Sequence, residues 1–157
     1  MGWTYGFITG FCDILKAYIP TKFIIFILPN TPYELEYMVL AGTAVILGHI
    51  YPFFMKFRGG KGIAFYLGVL LSININIGLL ACGLLIFITI ITDYVAIGSI
   101  LLYITIPIII YYQDYSFIIL GCSLLLLFVG IFKHIINVQR IINGKEKGLK
   151  SVIYKFK

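Results

Sequence analysis

Ile63-Ala64-Phe65-Tyr66-Leu67-Gly68-Val69-Leu70-Leu71-Ser72-Ile73-Asn74-Ile75-Asn76-Ile77-Gly78 opens a stretch that runs without a charge to Thr92. Its length decides the fold. A helix rises about 1.5 Å per residue, so the 30 residues from Ile63 to Thr92 reach roughly 45 Å. One crossing of a ~30 Å hydrocarbon layer takes about 20 residues, and two full crossings take roughly 60 Å. The stretch is too long for one pass and too short for two. It therefore predicts a short or re-entrant helix, a turn near Asn74 to Asn76, and a nearly full helix ending at Thr92. A turn at that depth is tolerated where protein satisfies its backbone.

The rest of the chain supports a membrane setting. Of 157 residues 61% are apolar, and 18 residues, or 11%, carry formal charge. A soluble domain has roughly 25% charged residues and could not hide this much apolar surface. The composition excludes a disordered chain, a nucleic-acid-binding domain and an ordinary soluble enzyme. Cys12, Cys82 and Cys122 lie in apolar stretches, and their odd count without paired spacing argues against disulfides and zinc. The first residues lack the basic start and clean apolar core of a cleavable signal peptide.

Further apolar runs cover Phe7 to Leu28, Leu35 to Phe54, Val95 to Tyr112 and Phe117 to Phe132. The break at 56–62 and the tail at 133–157 hold three and seven positive charges, 10 of the 12 Lys and Arg. The positive-inside rule places both in the cytoplasm. An even number of crossings must then separate them, so the stretch after Gly62 supplies zero or two and cannot be one long helix that crosses once. The expectation is an all-α polytopic protein: one integral membrane domain over 1–157, a helical bundle at 7–132, a cytoplasmic basic tail at 133–157, and about six passes, one of them short. No internal repeat or separate soluble domain is visible. The net charge of +6 fits contact with anionic lipid headgroups, above all through Lys145, Lys147, Lys150, Lys155 and Lys157.

Three segments can carry chemistry. In Lys56-Phe57-Arg58-Gly59-Gly60-Lys61-Gly62, the glycines let the backbone turn tightly, so that successive N–H groups can converge on an anion. Lys56, Arg58 and Lys61 add charge, and Gly62 leads into a helix N-terminus. The spacing is not that of a Walker A loop. His49, at the end of an apolar run, is costly unless it faces a polar site. The alternative is a flexible loop whose cations only fix orientation. In Lys133-His134-Ile135-Ile136-Asn137-Val138-Gln139-Arg140, a continuing helix puts Lys133, His134, Asn137 and Arg140 on one side. The alternative is an interfacial helix with snorkelling cations. Asp13 and Lys16, at i and i+3 within the first run, either serve a site or pair with each other. Together these segments could bind a phosphorylated substrate beside the lipid. There is no Ser-His-Asp arrangement and no metal-ligand cluster, so catalysis would rest on positioning and charge stabilisation.

These segments resemble the bacterial acyl-phosphate:glycerol-3-phosphate acyltransferase family of the PlsY type. Residues 48–62 are similar to its second motif, Gly-His-x-Phe-Pro-x-Phe-x-x-Phe-Lys-Gly-Gly-Lys-Gly. Lys133-His134…Asn137…Arg140…Gly144…Glu146 resembles the third motif, and Asp13-Ile14-Leu15-Lys16 resembles an Asp-x-x-Lys in the family's second membrane helix. The resemblance implies a seven-helix fold in the bacterial plasma or inner membrane, here without its first helix. It implies transfer of a fatty acyl group from acyl phosphate to glycerol 3-phosphate, giving lysophosphatidic acid for phospholipid synthesis. No metal or coenzyme is implied. By position, His49, Lys61, His134 and Asn137 would be catalytic. Lys56, Arg58, Gly59, Gly60, Gly62, Lys133, Arg140, Asp13 and Lys16 would bind substrate. Lacking a strong base, the site would leave the proton to a substrate phosphate.

The chain also departs from the pattern. The family's first motif, a Ser- and Gly-Asn-rich loop with an Arg, would lie before Met1. Asp93 and Ala96 stand where Arg and Ser are expected, and Phe65 stands where Thr is usual. The alternative expectation is an impaired or truncated paralogue. It would bind phospholipid precursors or pair with a full-length relative or a missing N-terminal segment. A phosphate-ester transporter is weaker, because the central helices lack a row of polar residues.

Overall fold

Asn74 divides the long apolar stretch into two helices. In the computed structural model, which describes residues 3–154, its backbone is extended (φ −149°, ψ 117°). Its side-chain oxygen accepts from the N–H groups of Asn76 and Ile77, at 2.9 and 3.2 Å. That is an N-cap, and it starts a helix where the preceding one stops. Lys22 donates to the Ser72 carbonyl at 3.2 Å, which supplies a partner at the end of the first helix. The element order is α1 (Trp3–Ile27), α2 (Glu34–Ile50), α3 (Ile63–Ile73), α4 (Ile75–Thr92), α5 (Val95–Tyr112), α6 (Phe117–Ile142) and α7 (Leu149–Tyr154). A 3-10 turn, Phe53–Met55, lies between α2 and α3. Lys155 and Lys157 of the expected lipid-binding tail lie outside the described residues.

Four segments have the length and hydropathy of a membrane span: Glu34–Met55, α4, α5 and α6. α3 is apolar but has only 11 residues, about 16 Å of rise, against about 27 Å for the 18 residues of α4. α1 is long enough but carries Asp13, Lys16 and Lys22. The fold is thus the expected all-helical membrane bundle with one short member. α1 packs on α2 and α3, α4 on α3 and α5, and α5 on α6, which returns to α2. Small residues sit at the crossings: Gly42 against Val69, Gly68 against Ile14 and Ala17, and Gly130 against the ring of Tyr103. Close approach of this kind is how helices associate where lipid removes the hydrophobic drive.

Contacts between loops define two ends. Leu35, Asn74, Gln113 and Tyr115 line one cavity at the first end. At the second end Lys133 reaches the Ile50 carbonyl, and the backbone of Leu149 reaches that of Asp93. The two basic segments therefore share one end. The last apolar run stops at Phe132 in the sequence, yet α6 continues ten residues further, to Ile142. Its extension is inside-out. His134 and Asn137 are buried, while Ile135, Ile136 and Val138 are exposed. Polar groups turn inward and apolar ones outward, as a lipid-facing helix requires.

Asn74→Ala removes the cap between α3 and α4. It is expected to cost about 1 kcal/mol and to lower the melting midpoint of the detergent-solubilised protein. An unchanged midpoint would mean that the break is held by packing alone.

Candidate functional site

The loop between α2 and α3 is held by its own backbone and by α2. Phe57 N–H donates to the Pro52 carbonyl at 3.0 Å, and Gly59 N–H to the Ile50 carbonyl at 3.2 Å. Lys56 and Phe57 both take left-handed conformations (φ 52° and 59°), a strain of about 1 kcal/mol or more each for residues with side chains. The three glycines serve different ends. Gly62 is the left-handed one, at φ 84°. Gly59 and Gly60 are needed for close approach instead: a Cβ on Gly59 would strike the His49 carbonyl, and one on Gly60 the His49 ring. His49 also stacks on Phe65 with ring centroids 4.0 Å apart. Phe65, the departure from the family pattern, thus forms the other wall around the imidazole.

Lys61, in this turn, lies within electrostatic reach of Glu146, Arg140 and His134. Its side chain is open to solvent, but the surrounding protein removes enough water to draw the ammonium pKa below its ordinary value. Glu146 opposes that fall and Arg140 adds to it. The Lys61 carbonyl accepts from the Tyr103 hydroxyl at 3.2 Å. Tyr103 lies in the middle of α5, so the turn reaches well into the helical layer.

α6 supplies the facing wall. His134 Nδ1 lies 2.8 Å from the Gly130 carbonyl. A carbonyl only accepts, so Nδ1 carries a proton, and in the neutral ring Nε2 is left as an acceptor. Asn137 donates to Glu146 at 2.6 Å. The contact exists because Gly144, at φ 63°, turns the chain back after α6, and the N–H groups of Lys145 and Glu146 return to the Arg140 carbonyl. The Arg140 side chain is exposed. The Lys133 ammonium donates to the Ile50 carbonyl at 3.4 Å and lies 4.3 Å from the centre of the Tyr51 ring. A cation at that position suits the C-terminus of α2.

α1 closes the other side of the turn. Asp13, Lys16, His49, Arg58, Gly59 and Gly60 line a cleft of ≈ 680 Å³. Asp13 and Lys16 are 3.6 Å apart and form an ion pair while also lining the cleft. The candidates therefore fall into two groups around one glycine turn. One comprises Asp13, Lys16, His49 and Arg58; the other comprises Lys61, His134, Asn137 and Arg140. Lys56 is exposed, and neither group includes it. Glu146 and Tyr103 also belong here and were not among the expected site residues. Glu146 stands in the stretch that resembles the third motif but had no role of its own there; the left-handed turn at Gly144, which folds the chain back after α6, is the local signal for its contact. Nothing local marked Tyr103. Among the described residues, no three His, Cys, Asp or Glu side chains gather to hold a metal ion.

Comparison with known proteins adds to this geometry. The family model described as glycerol-3-phosphate acyltransferase matches residues 1–144. Glycerol-3-phosphate acyltransferase 1 of Oceanobacillus iheyensis is 38% identical, with 99% of this chain and 76% of the relative aligned. The glycerol-3-phosphate acyltransferase of Thermosipho melanesiensis is 36% identical, with 97% and 72% aligned. Crystal structures of PlsY, an integral membrane glycerol 3-phosphate acyltransferase, superpose closely. The glycerol 3-phosphate form gives a TM-score of 0.83 at 27% identity, over 98% of this chain and 76% of the other. The lysophosphatidic acid form gives 0.79 at 28% identity.

The glycine contacts yield an ordered expectation. Gly59→Ala meets backbone and should lower the melting midpoint by several degrees, as overpacking by about 1–3 kcal/mol would. Gly60→Ala meets only a side chain, so it should cost less, and His49→Ala in the same chain should relieve it. Equal, unrelieved losses for both glycines would contradict the packing described.

Proposed function

The chain belongs to the glycerol-3-phosphate acyltransferase family, and from that membership we propose that it transfers a fatty acyl group from acyl phosphate to glycerol 3-phosphate. The observation that carries the reading is the Gly59–Gly62 turn, which brings Lys61 within electrostatic reach of His134 and of Glu146, the hydrogen-bond partner of Asn137, at the basic end of a membrane bundle. Both substrates are phosphate esters or anhydrides, and the turn offers what such anions need: a lysine ammonium and a helix N-terminus. The multi-pass bundle keeps the acyl chain in lipid while the phosphate meets the polar end.

In the proposed reaction the 1-hydroxyl of glycerol 3-phosphate attacks the acyl carbonyl. A carbon–oxygen ester bond forms, and the bond from the acyl carbon to the phosphate oxygen breaks. Lysophosphatidic acid and inorganic phosphate are the products. Lys61 holds phosphate, with Arg140 and Arg58 raising the local positive potential. His134 orients the hydroxyl through Nε2, and Asn137, fixed by Glu146, lines the reacting centre. His49 supports the turn from behind. The hydroxyl proton passes to a substrate phosphate oxygen. We place the basic end in the cytoplasm of a bacterial plasma or inner membrane, on the charge distribution.

The test is acyl transfer by this chain in lipid, with acyl phosphate and labelled glycerol 3-phosphate. Lysophosphatidic acid should form, and Lys61→Ala should lower kcat/KM about a hundredfold. No product from the folded chain would overturn the reading. The pH profile has a definite sign. Lys61 holds phosphate only when protonated, and its pKa is depressed. kcat/KM should therefore fall on the alkaline side, below the ordinary lysine range. Lys61→Arg, which stays charged, should move that limb upward. An acid limb with a histidine pKa on a rate-limiting chemical step would show that an imidazole, not a phosphate, takes the proton. Single cysteines at Asn30 and Lys147, in a chain freed of its own three, should label from opposite sides, with Lys147 protected from outside the cell.

A further inference from the structure

Tyr103 touches both halves of the proposed site and is assigned to neither by the family pattern. It is 1% exposed, and its hydroxyl donates to the Lys61 carbonyl at 3.2 Å. One edge of its ring lies flat on Gly130, where a Cβ would come within 2.5 Å of ring carbon. Gly130 is also the residue whose carbonyl holds His134 Nδ1. The Tyr103 and His134 rings are 6.3 Å apart, and Tyr66 of α3 packs on Tyr103 at 4.7 Å. One buried phenol thus bonds to the phosphate turn, packs against the helix that carries the histidine, and rests on the helix that the turn begins.

We propose that Tyr103 is a positioning residue that sets the distance between the Lys61 turn and His134. The physics favours this. The turn is glycine-rich, and Lys56, Phe57 and Gly62 are held in left-handed conformations, so it needs an external constraint. The Tyr103 hydroxyl supplies that constraint at the residue whose side chain holds phosphate. The ring against Gly130 refers the constraint to α6 rather than to α5 alone. A misplacement of even 1 Å is costly in a site that works by orientation. The role rests on the acyltransferase reading above, and its test is built to separate the two.

Tyr103→Phe keeps the ring and loses the bond to Lys61. It should raise KM for glycerol 3-phosphate about tenfold and weaken binding of glycerol 3-phosphate, measured by calorimetry, by a similar factor. The melting midpoint should move by only a few degrees. Gly130→Ala displaces the ring without removing any hydroxyl, and it should reproduce the same KM shift. The double variant should be little worse than either single one, because both break one linkage. A merely structural tyrosine would lower the midpoint and the folded yield while KM in the surviving protein stays unchanged. That result, or additive KM effects in the double variant, overturns the proposal. Binding that Lys61→Ala abolishes and Tyr103→Phe leaves intact overturns the clamp alone. A folded chain that neither binds glycerol 3-phosphate nor turns it over overturns both readings.

Discussion

A shortage of residues shapes this protein. α3 has 11 residues in which to travel between the two ends of the bundle, about 16 Å, while its neighbours α4 and α5 have 18 each. The turn that begins α3 is consequently drawn inward. Its carbonyl at Lys61 meets a tyrosine at the midpoint of α5, and its lysine is electrostatically coupled to a histidine two turns before the end of α6. A full-length third helix would lift the same turn to the surface, away from both. Drawing an irregular loop to this depth is permitted only if protein satisfies its backbone. The bonds from Gly59 to Ile50 and from Tyr103 to Lys61 do this.

The same constraint sorts the cations. A basic residue near a membrane can fix orientation, cap a helix or face a ligand, and its contacts decide among these. Lys22 ends α3 and Lys133 ends α2, each through a carbonyl of the helix it terminates. Lys16 stands beside Asp13 in the one ion pair among the described residues. Lys61 has no such commitment. Glu146 is close enough to favour its charge but accepts its hydrogen bond from Asn137. The result is a site with one acidic group placed to steady it and a positive excess left for an anion.

The elements were legible in the sequence because their signals are local. The break at Asn74 follows from length and from an amide that caps, and the bounds of α5 follow from Asp93 and Gln113. The grouping of the two basic segments follows from counting crossings. The reasons for individual residues were less visible, because they depend on contacts across long separations. Gly59 and Gly60 look like conformational hinges, yet what they need is room beside His49. Nothing in the sequence around Lys133 tells that the end of α2, 83 residues away, accepts from its ammonium. Tyr103 bonds across 42 residues and Lys150 across 57. No periodicity in a single chain encodes such pairs.

Asp93 shows how a departure from a family pattern is absorbed. By composition it is an acid among cations, at a position where the resemblance led to the expectation of an arginine. In the fold it faces neither Lys61 nor the cleft beside His49. It takes a left-handed backbone conformation at the end of α4, and its carbonyl accepts from Leu149 while its carboxylate accepts from Lys150 N–H at 2.7 Å. Gly148 lies so close that a Cβ there would displace the Asp93 carboxylate. The acid therefore anchors the segment that follows Glu146, and Glu146 in turn holds Asn137. An arginine could not accept those N–H groups. The reversal of charge is tied to the path of the tail, and through that path to the wall of the site, so residue 93 bears on the chemistry by holding the tail in place.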